Sequence, residues 1–317
     1  MSILKPVIKR FLPQNFLERR DTRKWYESQL SQVPSVAQGI DSVIKRWNVS
    51  SPPEITDNPV FIFASGWRSG STLLQRLVNS DGKILLWGEP FANCNLIPSL
   101  ADTLKAFSDR YPSHSHFLDS DHFNRNSADL SQRWTANLYP DTANLIQAHR
   151  QFFHTLYQQP ALTKGYQRWG LKEVRLSIDH ATYLQWLFPQ AQFLFLYRNP
   201  YKAYRSCRNW TNLYMRWPDQ SVYTPEQFGN YWQTMTSGYL QNYQQVKGKL
   251  IKYEELASGN FLLEDLANYL QLNLDKNVLA KRIGGQKKTQ SIPQGELKRL
   301  QKAVEPLASQ LGYLPEE

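Results

Sequence analysis

The chain has 317 residues, 41% of them hydrophobic, so it is long enough to bury one large core or two smaller ones. Its formal net charge of +10 favours an anionic partner: a nucleic acid, a membrane surface or a phosphorylated small molecule. Its two cysteines form neither a disulfide framework nor a zinc site, and no apolar run reaches the ~18 residues of a membrane span. Since no signal peptide can be recognised either, we expect a cytoplasmic protein.

Strand and helix patterns alternate along the chain. Strands are predicted at 60–63, 83–87, 169–174, 191–197 and 250–253. Helices are predicted over 14–47 with a break near Pro34, and over 72–80, about 91–107, 141–158, 178–188, from Pro200 onward, 225–246, 254–270, 276–283 and 293–311. This alternation predicts an α/β fold, in which a parallel β-sheet is flanked by helices on both faces in a P-loop-like three-layer sandwich.

We expect the whole chain, 1–317, to form a single domain. Residues 1–55 are predicted to form an N-terminal helical arm, and 257–317 a C-terminal helical part. Residues 108–140 show little periodicity, so they are predicted to form an irregular insertion that acts as a lid over the site.

A buried strand leads through a glycine-containing turn into the start of a helix over 59–77. Such a corner binds phosphate, because loop N–H groups and the positive end of the helix dipole point into it. Arg68 adds a full charge to this turn, which ends at Gly70. Three hydroxyl side chains add further donors: Ser69, Ser71 and Thr72. We therefore predict an anion-binding loop.

The turn differs from an ATP-binding P-loop, whose pattern is G-x-x-x-x-G-K-[ST]. With Gly70 as the last glycine, the first would fall on Ser65 and the lysine on Ser71. The missing lysine argues against the first alternative, an ATP-dependent kinase. So does the strand 191–197, which ends at Arg198 rather than at an aspartate suited to Mg²⁺. A second alternative is a nucleic-acid-binding protein, suggested by the basic charge and the many aromatic residues.

A second anion-binding pair follows the strand 191–197. Arg198 lies at the carboxyl end of this strand, where ligands of parallel sheets bind, and Ser206 lies about two helical turns later. A guanidinium and a hydroxyl that converge there can hold a second phosphate. The alternative for Arg198 is an ion pair at the edge of the sheet. We expect Arg68 and Arg198 to face one shared cleft.

Three segments, in this order, resemble the sulfotransferase superfamily that uses 3′-phosphoadenosine 5′-phosphosulfate (PAPS) as donor. They are Arg68-Ser69-Gly70-Ser71-Thr72-Leu73-Leu74, then Arg198-Asn199-Pro200 with Ser206, then Tyr253-Glu254-Glu255-Leu256. The resemblance covers about 59–256. It implies that the first segment binds the 5′-phosphosulfate, that the second binds the 3′-phosphate, and that Tyr253 lies near the adenine.

The segments 88–89 and 171–173 resemble the tyrosylprotein and related bacterial branch of that superfamily. This resemblance implies that Glu89 is the general base, and that Lys172 and Arg68 stabilise charge on the transferring group. The alternatives are a helix N-cap for Glu89 and, for Lys172, an ion pair with one of the neighbouring glutamates.

The chain departs from the soluble small-molecule branch in two respects. The R-K-G segment of that branch has no match, so Lys287 or Lys288 is expected to provide a substitute over the donor. The histidine that serves as general base in that branch follows a different pattern. Three histidines of the predicted lid are therefore the alternative candidates for the base: His114, His116 and His122. No cysteine or carboxylate is spaced with them as a ligand, so no metal site is predicted.

The resemblance also implies the reaction. A sulfuryl group passes from PAPS to a hydroxyl or amine of a small-molecule acceptor, the product adenosine 3′,5′-bisphosphate (PAP) leaves, and no metal ion is required. Aromatic side chains of 91–140 are expected to hold the acceptor. The identity of the acceptor and the oligomeric state stay open.

Overall fold

The structure is a computed structural model. It describes residues 14–30, 33–47, 57–89, 91, 94–118, 130–132, 135–136, 138–140, 142–210, 212–216, 222–281 and 290–315. Three residues singled out above lie outside these ranges: His122, Lys287 and Lys288. The chain divides into two compact units, one of 1–50 with 101–145 and one of 51–100 with 146–317. The single domain, the arm and the lid stay predictions.

The described residues contain five strands: β1 (Val60–Ala64), β2 (Ile84–Gly88), β3 (Arg168–Glu173), β4 (Gln192–Tyr197) and β5 (Lys249–Lys252). The α-helices before β3 are α1 (Gln14–Leu30), α2 (Val36–Trp47), α3 (Ser71–Asn79), α4 (Leu96–Asp102), α5 (Thr142–Phe153) and α6 (Gln159–Thr163). Those after β3 are α7 (Ile178–Leu187), α8 (Pro200–Asn209), α9 (Pro225–Asn242), α10 (Tyr253–Ser258), α11 (Leu263–Leu270), α12 (Asn277–Ala280), α13 (Gln294–Val304) and α14 (Leu307–Gln310).

The strands form one parallel sheet in the order β2-β3-β1-β4-β5. β1 is central, and its Ile62 is aligned with Lys172 of β3 on one side and with Leu194 of β4 on the other. Because all strands are parallel, their carboxyl ends lie at one edge of the sheet, and the chain order reverses beside β1. The loop after β1 therefore lies where ligands of such sheets bind.

The two faces of the sheet have different cores, because successive side chains of a strand point to opposite sides. Val60 and Ile62 belong to an aliphatic cluster that includes Leu74 and Leu77 of α3 and residues of α11. Phe61 and Phe63 belong to an aromatic face that includes the buried rings of Trp169, Phe193 and Phe195. Tyr239 of α9 covers this face, with its ring centre 5.0 Å from that of Phe195. The predicted parallel sheet with helices on both faces is confirmed.

Three predicted helices have different limits in the structure. The predicted helix 254–270 is two helices, because α10 ends at Gly259 in a left-handed conformation with φ of 78°. The predicted helix 293–311 is interrupted at Pro306, whose ring cannot supply the N–H that a continuous helix needs. The predicted helix 91–107 begins only at Leu96, because Phe91 and Asn95 have positive φ.

The first compact unit has its own packing. Gly39 of α2 lies so close to the 3-10 turn Thr103–Ala106 that a Cβ would be 2.1 Å from the Leu104 carbonyl oxygen. The Arg46 guanidinium donates to the carbonyl oxygens of Ser108 and Pro112. The predicted irregular insertion contains two short 3-10 turns among its described residues, His114–His116 and Leu130–Gln132. Within the described ranges, no helix has the length and apolar content needed to cross a bilayer.

We expect Gly170→Ala to destabilise the fold. An added Cβ in β3 would lie 2.0 Å from the Val60 carbonyl oxygen and 2.3 Å from Leu86 Cδ2. Overpacking of this kind costs about 1–3 kcal/mol, so the midpoint of urea unfolding should fall. The control is Gly238→Ala in α9, where a Cβ would have no neighbour within 4 Å. Because alanine has a higher helix propensity than glycine, this control should raise the free energy of unfolding by about 0.5–1 kcal/mol. Equal stability of the two variants would contradict the strand register.

Candidate active site

The loop after β1 is held by the strands on both sides. The Ser65 N–H donates to the Leu196 carbonyl oxygen at 3.0 Å, and the Gly66 N–H donates to that of Val174 at 2.9 Å. The loop then turns sharply, since Arg68 has φ of 64°, and it enters α3. Its position between the ends of β3 and β4 therefore depends on the sheet itself.

Two loop hydroxyls are buried without a partner. Ser69 is 1% exposed and Ser65 is 3% exposed, and neither Oγ has a hydrogen bond among the described residues. A buried polar atom without a partner costs about 1–3 kcal/mol. Ser71, also buried, opens α3, where the N–H groups of Ser71 and Thr72 have no partner within the helix. The Leu73 N–H in the same turn donates to the Gly70 carbonyl oxygen at 2.9 Å. The unpaired hydroxyls and the first N–H groups of the helix fit a ligand with several anionic oxygens.

The segment from Arg198 to α8 is hydrogen-bonded to the loop at three points. Arg68 Nε donates to Ser206 Oγ at 2.9 Å, and Arg198 Nη1 donates to the Arg68 carbonyl oxygen at 2.7 Å. The buried thiol of Cys207 donates to the Trp67 carbonyl oxygen at 3.4 Å, and burial raises the pKa of this thiol to about 12. The structure therefore brings Arg68 and Arg198 into contact at neighbouring strand ends.

Aromatic rings hold both guanidinium groups. Arg198 Cζ lies 4.3 Å from the ring centre of Tyr253, and Arg68 Cζ lies 4.9 Å from that of Trp210. Burial lowers the pKa of Arg198, and the charge of the nearby Arg68 lowers it further. Tyr253 and Glu254 raise it. Arg198 Nε is buried without a hydrogen bond among the described residues, so one donor of this guanidinium group is unpaired.

The carboxylate of Glu89 lies on the other side of the loop. It pairs with the ammonium group of Lys172 and accepts a hydrogen bond of 2.9 Å from Trp67 Nε1. The Glu89 N–H also donates to the Lys172 carbonyl oxygen at 2.7 Å. Lys172 is 4% exposed, whereas the Glu89 side chain is 25% exposed, so the ammonium group is shielded from water and the carboxylate is only partly so. Lys172 therefore forms an ion pair with Glu89, which is one of the two pairings named above as its alternative role. Since the next helix begins only at Leu96, Glu89 does not cap it.

A buried carboxylate, Glu173, follows Lys172. The Val174 N–H donates to it at 2.8 Å, and Arg175 Nε lies 3.4 Å from its Oε1. Burial raises the pKa of Glu173, and the Arg175 guanidinium lowers it. Arg175 Nη1 donates in turn to Asn95 Oδ1 at 3.2 Å. This ion pair supports the end of β3.

The sequence-predicted residues fall into three groups. The loop, α8 and the strand ends bring together Arg68, Ser69, Gly70, Ser71, Thr72, Leu73, Glu89, Lys172, Arg198, Ser206 and Tyr253. His114 and His116 belong to the first compact unit. His122, Lys287 and Lys288 lie outside the described residues. In the part of the chain that is described, no three His, Cys, Asp or Glu side chains are grouped to hold a metal ion.

The sequence reasoning missed Trp67, Trp210 and Cys207. Trp67 contacts Glu89 and Trp210 contacts Arg68, both of which it did identify, whereas Cys207 contacts the carbonyl oxygen of Trp67. An aromatic residue next to Arg68 and a cysteine next to Ser206 were the available signals.

A family model described as "Sulfotransferase family" matches residues 59–275. The match covers more than half of the chain, including the loop, both strand ends and Tyr253. The chain therefore belongs to the sulfotransferase family. None of the curated proteins compared with the chain matches it.

Solved sulfotransferase structures show a distant likeness. The sulfotransferase domain of the Synechococcus PCC 7002 olefin synthase is 22% identical, with 82% of this chain and 86% of that chain covered and a TM-score of 0.41. The sulfotransferase domain from the curacin biosynthetic pathway is 14% identical, with coverages of 82% and 99% and a TM-score of 0.45. A sulfotransferase from Alicyclobacillus acidocaldarius is 15% identical, with coverages of 82% and 98% and a TM-score of 0.43. At these scores the likeness adds nothing to the family assignment.

We expect Gly70→Ala to disrupt the loop. Gly70 has φ of 95°, and an added Cβ would lie 2.1 Å from the Tyr253 ring. The ring and the loop would have to separate, so binding of PAP, the ligand that the sequence resemblance implies, should weaken at least tenfold, which is about 1.4 kcal/mol. Isothermal titration measures this loss.

Gly82→Ala is the matched control. Gly82 also has positive φ, 75°, but a Cβ there would have no neighbour within 4 Å. The same backbone strain should lower the free energy of unfolding of this variant by about 1–2 kcal/mol. Its affinity for PAP should not change. Equal PAP affinity of the two variants would refute the contact between Gly70 and Tyr253.

Proposed function

We propose that the chain transfers a sulfuryl group from PAPS to a hydroxyl or amine of a small-molecule acceptor and releases PAP. The observation that carries this proposal is the contact between two anion-binding elements at neighbouring strand ends. The Arg68 side chain reaches Ser206 at 2.9 Å, and the Arg198 guanidinium reaches the loop backbone at 2.7 Å. A ligand with anionic groups at two positions would use both elements at once.

The unused donors support this choice of donor. The loop would hold the 5′-phosphosulfate with its N–H groups and with the buried Ser65 and Ser69 hydroxyls. Arg198, with its unpartnered Nε, and Ser206 would hold the 3′-phosphate. The Tyr253 ring would lie beside the adenine. Lys287 or Lys288 would close over the donor.

Glu89 is proposed as the general base. When bound, the donor supplies an activated sulfuryl group, and the protein must remove a proton from the acceptor as it attacks. The Lys172 ammonium group and Trp67 Nε1 hold the carboxylate from two sides. Each carboxylate oxygen has two lone pairs, so both contacts leave acceptor sites for the proton. Lys172 has three N–H donors, and those not used by Glu89 can stabilise charge at the transferring group.

The acceptor is proposed to be a small alcohol, phenol or amine. Phe91 lies two residues beyond Glu89 and is 53% exposed, so it offers an apolar surface beside the base. An aromatic side chain in this position could align a flat acceptor. The lid histidines stay the alternative bases.

The proposal predicts tight binding of PAP and weak binding of ATP–Mg²⁺. Ser71 stands where an ATP-binding loop has its lysine, and β4 leads into Arg198 rather than into a carboxylate for Mg²⁺. Isothermal titration with the two ligands separates a sulfotransferase from a kinase. Tight ATP binding without PAP binding would refute the proposal, and so would binding only to oligonucleotides with a steep salt dependence.

Glu89→Gln should keep PAP affinity and lose turnover. The amide still accepts a hydrogen bond from Trp67 but cannot take a proton, and general bases contribute about 10²–10⁴-fold to rates. Turnover is measured with PAPS and an acceptor found by screening phenols, alcohols and amines. Glu264→Gln, an exposed change in α11, is the control and should keep full activity. If Glu89→Gln retained most of the rate, Glu89 would not be the base.

A further inference from the structure

We propose that Trp67 is a positioning residue for the general base: its indole N–H sets the direction in which the Glu89 carboxylate points. This inference rests on the proposed function and extends it. It assigns Trp67 to turnover rather than to donor binding, although Trp67 lies in the anion-binding loop next to Arg68. Trp67 acts through Glu89 and touches no reacting atom itself.

The two oxygens of the Glu89 carboxylate are held by two different donors. The Lys172 ammonium group binds Oε1, and Trp67 Nε1 donates to Oε2 at 2.9 Å. An ammonium group on a flexible stem can follow a carboxylate that turns, whereas an indole N–H points in one direction from a rigid ring. Contacts to both oxygens fix the plane of the carboxylate. Trp67 therefore supplies the directional part of this arrangement.

Glu89 needs such support. Its side chain is 25% exposed, and its backbone has a left-handed conformation, with φ of 31°, directly after β2. A glutamate side chain that is not held samples several rotamers. In the proposed mechanism, Lys172 also stabilises charge at the transferring group, so that group competes with Glu89 for the ammonium. The neutral indole N–H is attracted less by this charge, so it keeps the carboxylate in place during the transfer.

Trp67 is itself held by the fold. Its ring packs against the aliphatic cluster of the sheet, and its carbonyl oxygen accepts the hydrogen bond from Cys207 in α8. Both neighbours have a left-handed backbone, with φ of 99° at Gly66 and 64° at Arg68. The Gly66 N–H donates to the Val174 carbonyl oxygen, which fixes the backbone that enters Trp67. The base is thereby tied to the same loop that is proposed to hold the donor.

Trp67→Phe tests this role, because it keeps an aromatic ring and removes the N–H. Turnover should fall about ten- to hundredfold, as for a misaligned reacting group. PAP affinity, measured by isothermal titration, should change less than about twofold, since the lost interaction is not one with the donor. Trp67→His should restore part of the rate, because imidazole Nε2 occupies the ring position of indole Nε1 and can donate a hydrogen bond.

Trp169→Phe is the matched control. Trp169 Nε1 also donates to a carboxylate, that of Asp57, at 3.0 Å from Oδ2. Asp57 precedes β1, so this bond lies at the opposite edge of the sheet from the loop. The change should lower the free energy of unfolding and leave turnover and PAP affinity unchanged. A loss of turnover equal to that of Trp67→Phe would contradict a role specific to Trp67.

A double variant separates positioning from a structural role. If Trp67 acts through Glu89, Trp67→Phe should lower turnover in the unchanged protein but leave the residual rate of Glu89→Gln nearly the same, because no base remains to be positioned. A fall by the same factor in both backgrounds would show that Trp67 acts elsewhere, and the inference would be wrong. An unchanged rate in Trp67→Phe alone would also refute it.

NMR spectra of the isotope-labelled protein test the contact without donor or acceptor. The indole N–H signal that is lost in Trp67→Phe belongs to Trp67. This signal should shift in Glu89→Gln, because a carboxylate is a stronger hydrogen-bond acceptor than an amide. A signal that did not move would refute the contact and the inference with it.

Failure of the proposed function gives a different result. If the unchanged protein neither bound PAP nor transferred a sulfuryl group from PAPS, the proposed function itself would fail. The indole signal would still report whether Trp67 is bonded to Glu89.

Discussion

The structure depends on hydrogen bonds that continue after β1 has ended. Ser65 still donates to the carbonyl oxygen of Leu196 in β4, and Gly66 to that of Val174 just after β3, so the loop is fixed before any ligand binds. A central parallel strand with partners on both sides is the most restrained backbone that a sheet offers. The left-handed turn at Arg68 and the entry into α3 are built on that restraint.

The cations of the site are held in place by the protein's own groups. Lys172 is positioned by Glu89, and Arg198 by the Arg68 carbonyl oxygen and the Tyr253 ring. Burying such charges is costly unless they are paired or hydrogen-bonded. Because these partners hold the cations in place, the site is organised in advance and needs little reorganisation when a ligand binds. Some donors of the cations, such as Arg198 Nε, stay unpaired.

Much of the fold could be predicted from the sequence, because a buried parallel strand such as β4 is continuously apolar and its ends are marked by polar residues. The helix breaks at Gly259 and Pro306 were missed although glycine and proline are local signals for a helix end. In the site, the spacing of Arg68, Arg198 and Ser206 predicted a shared cleft. The directions of Trp67 and Arg68 could not be predicted, because they depend on one loop dihedral and on packing against Trp210.

The contact between Gly70 and Tyr253 has an evolutionary consequence. The ring occupies the space that any side chain at position 70 would need, so the two positions, far apart in the sequence, cannot vary independently. A larger residue in the loop would be tolerated only together with a smaller one after β5. Among sulfotransferases that share this loop, we expect the two positions to coevolve, even where the acceptors differ.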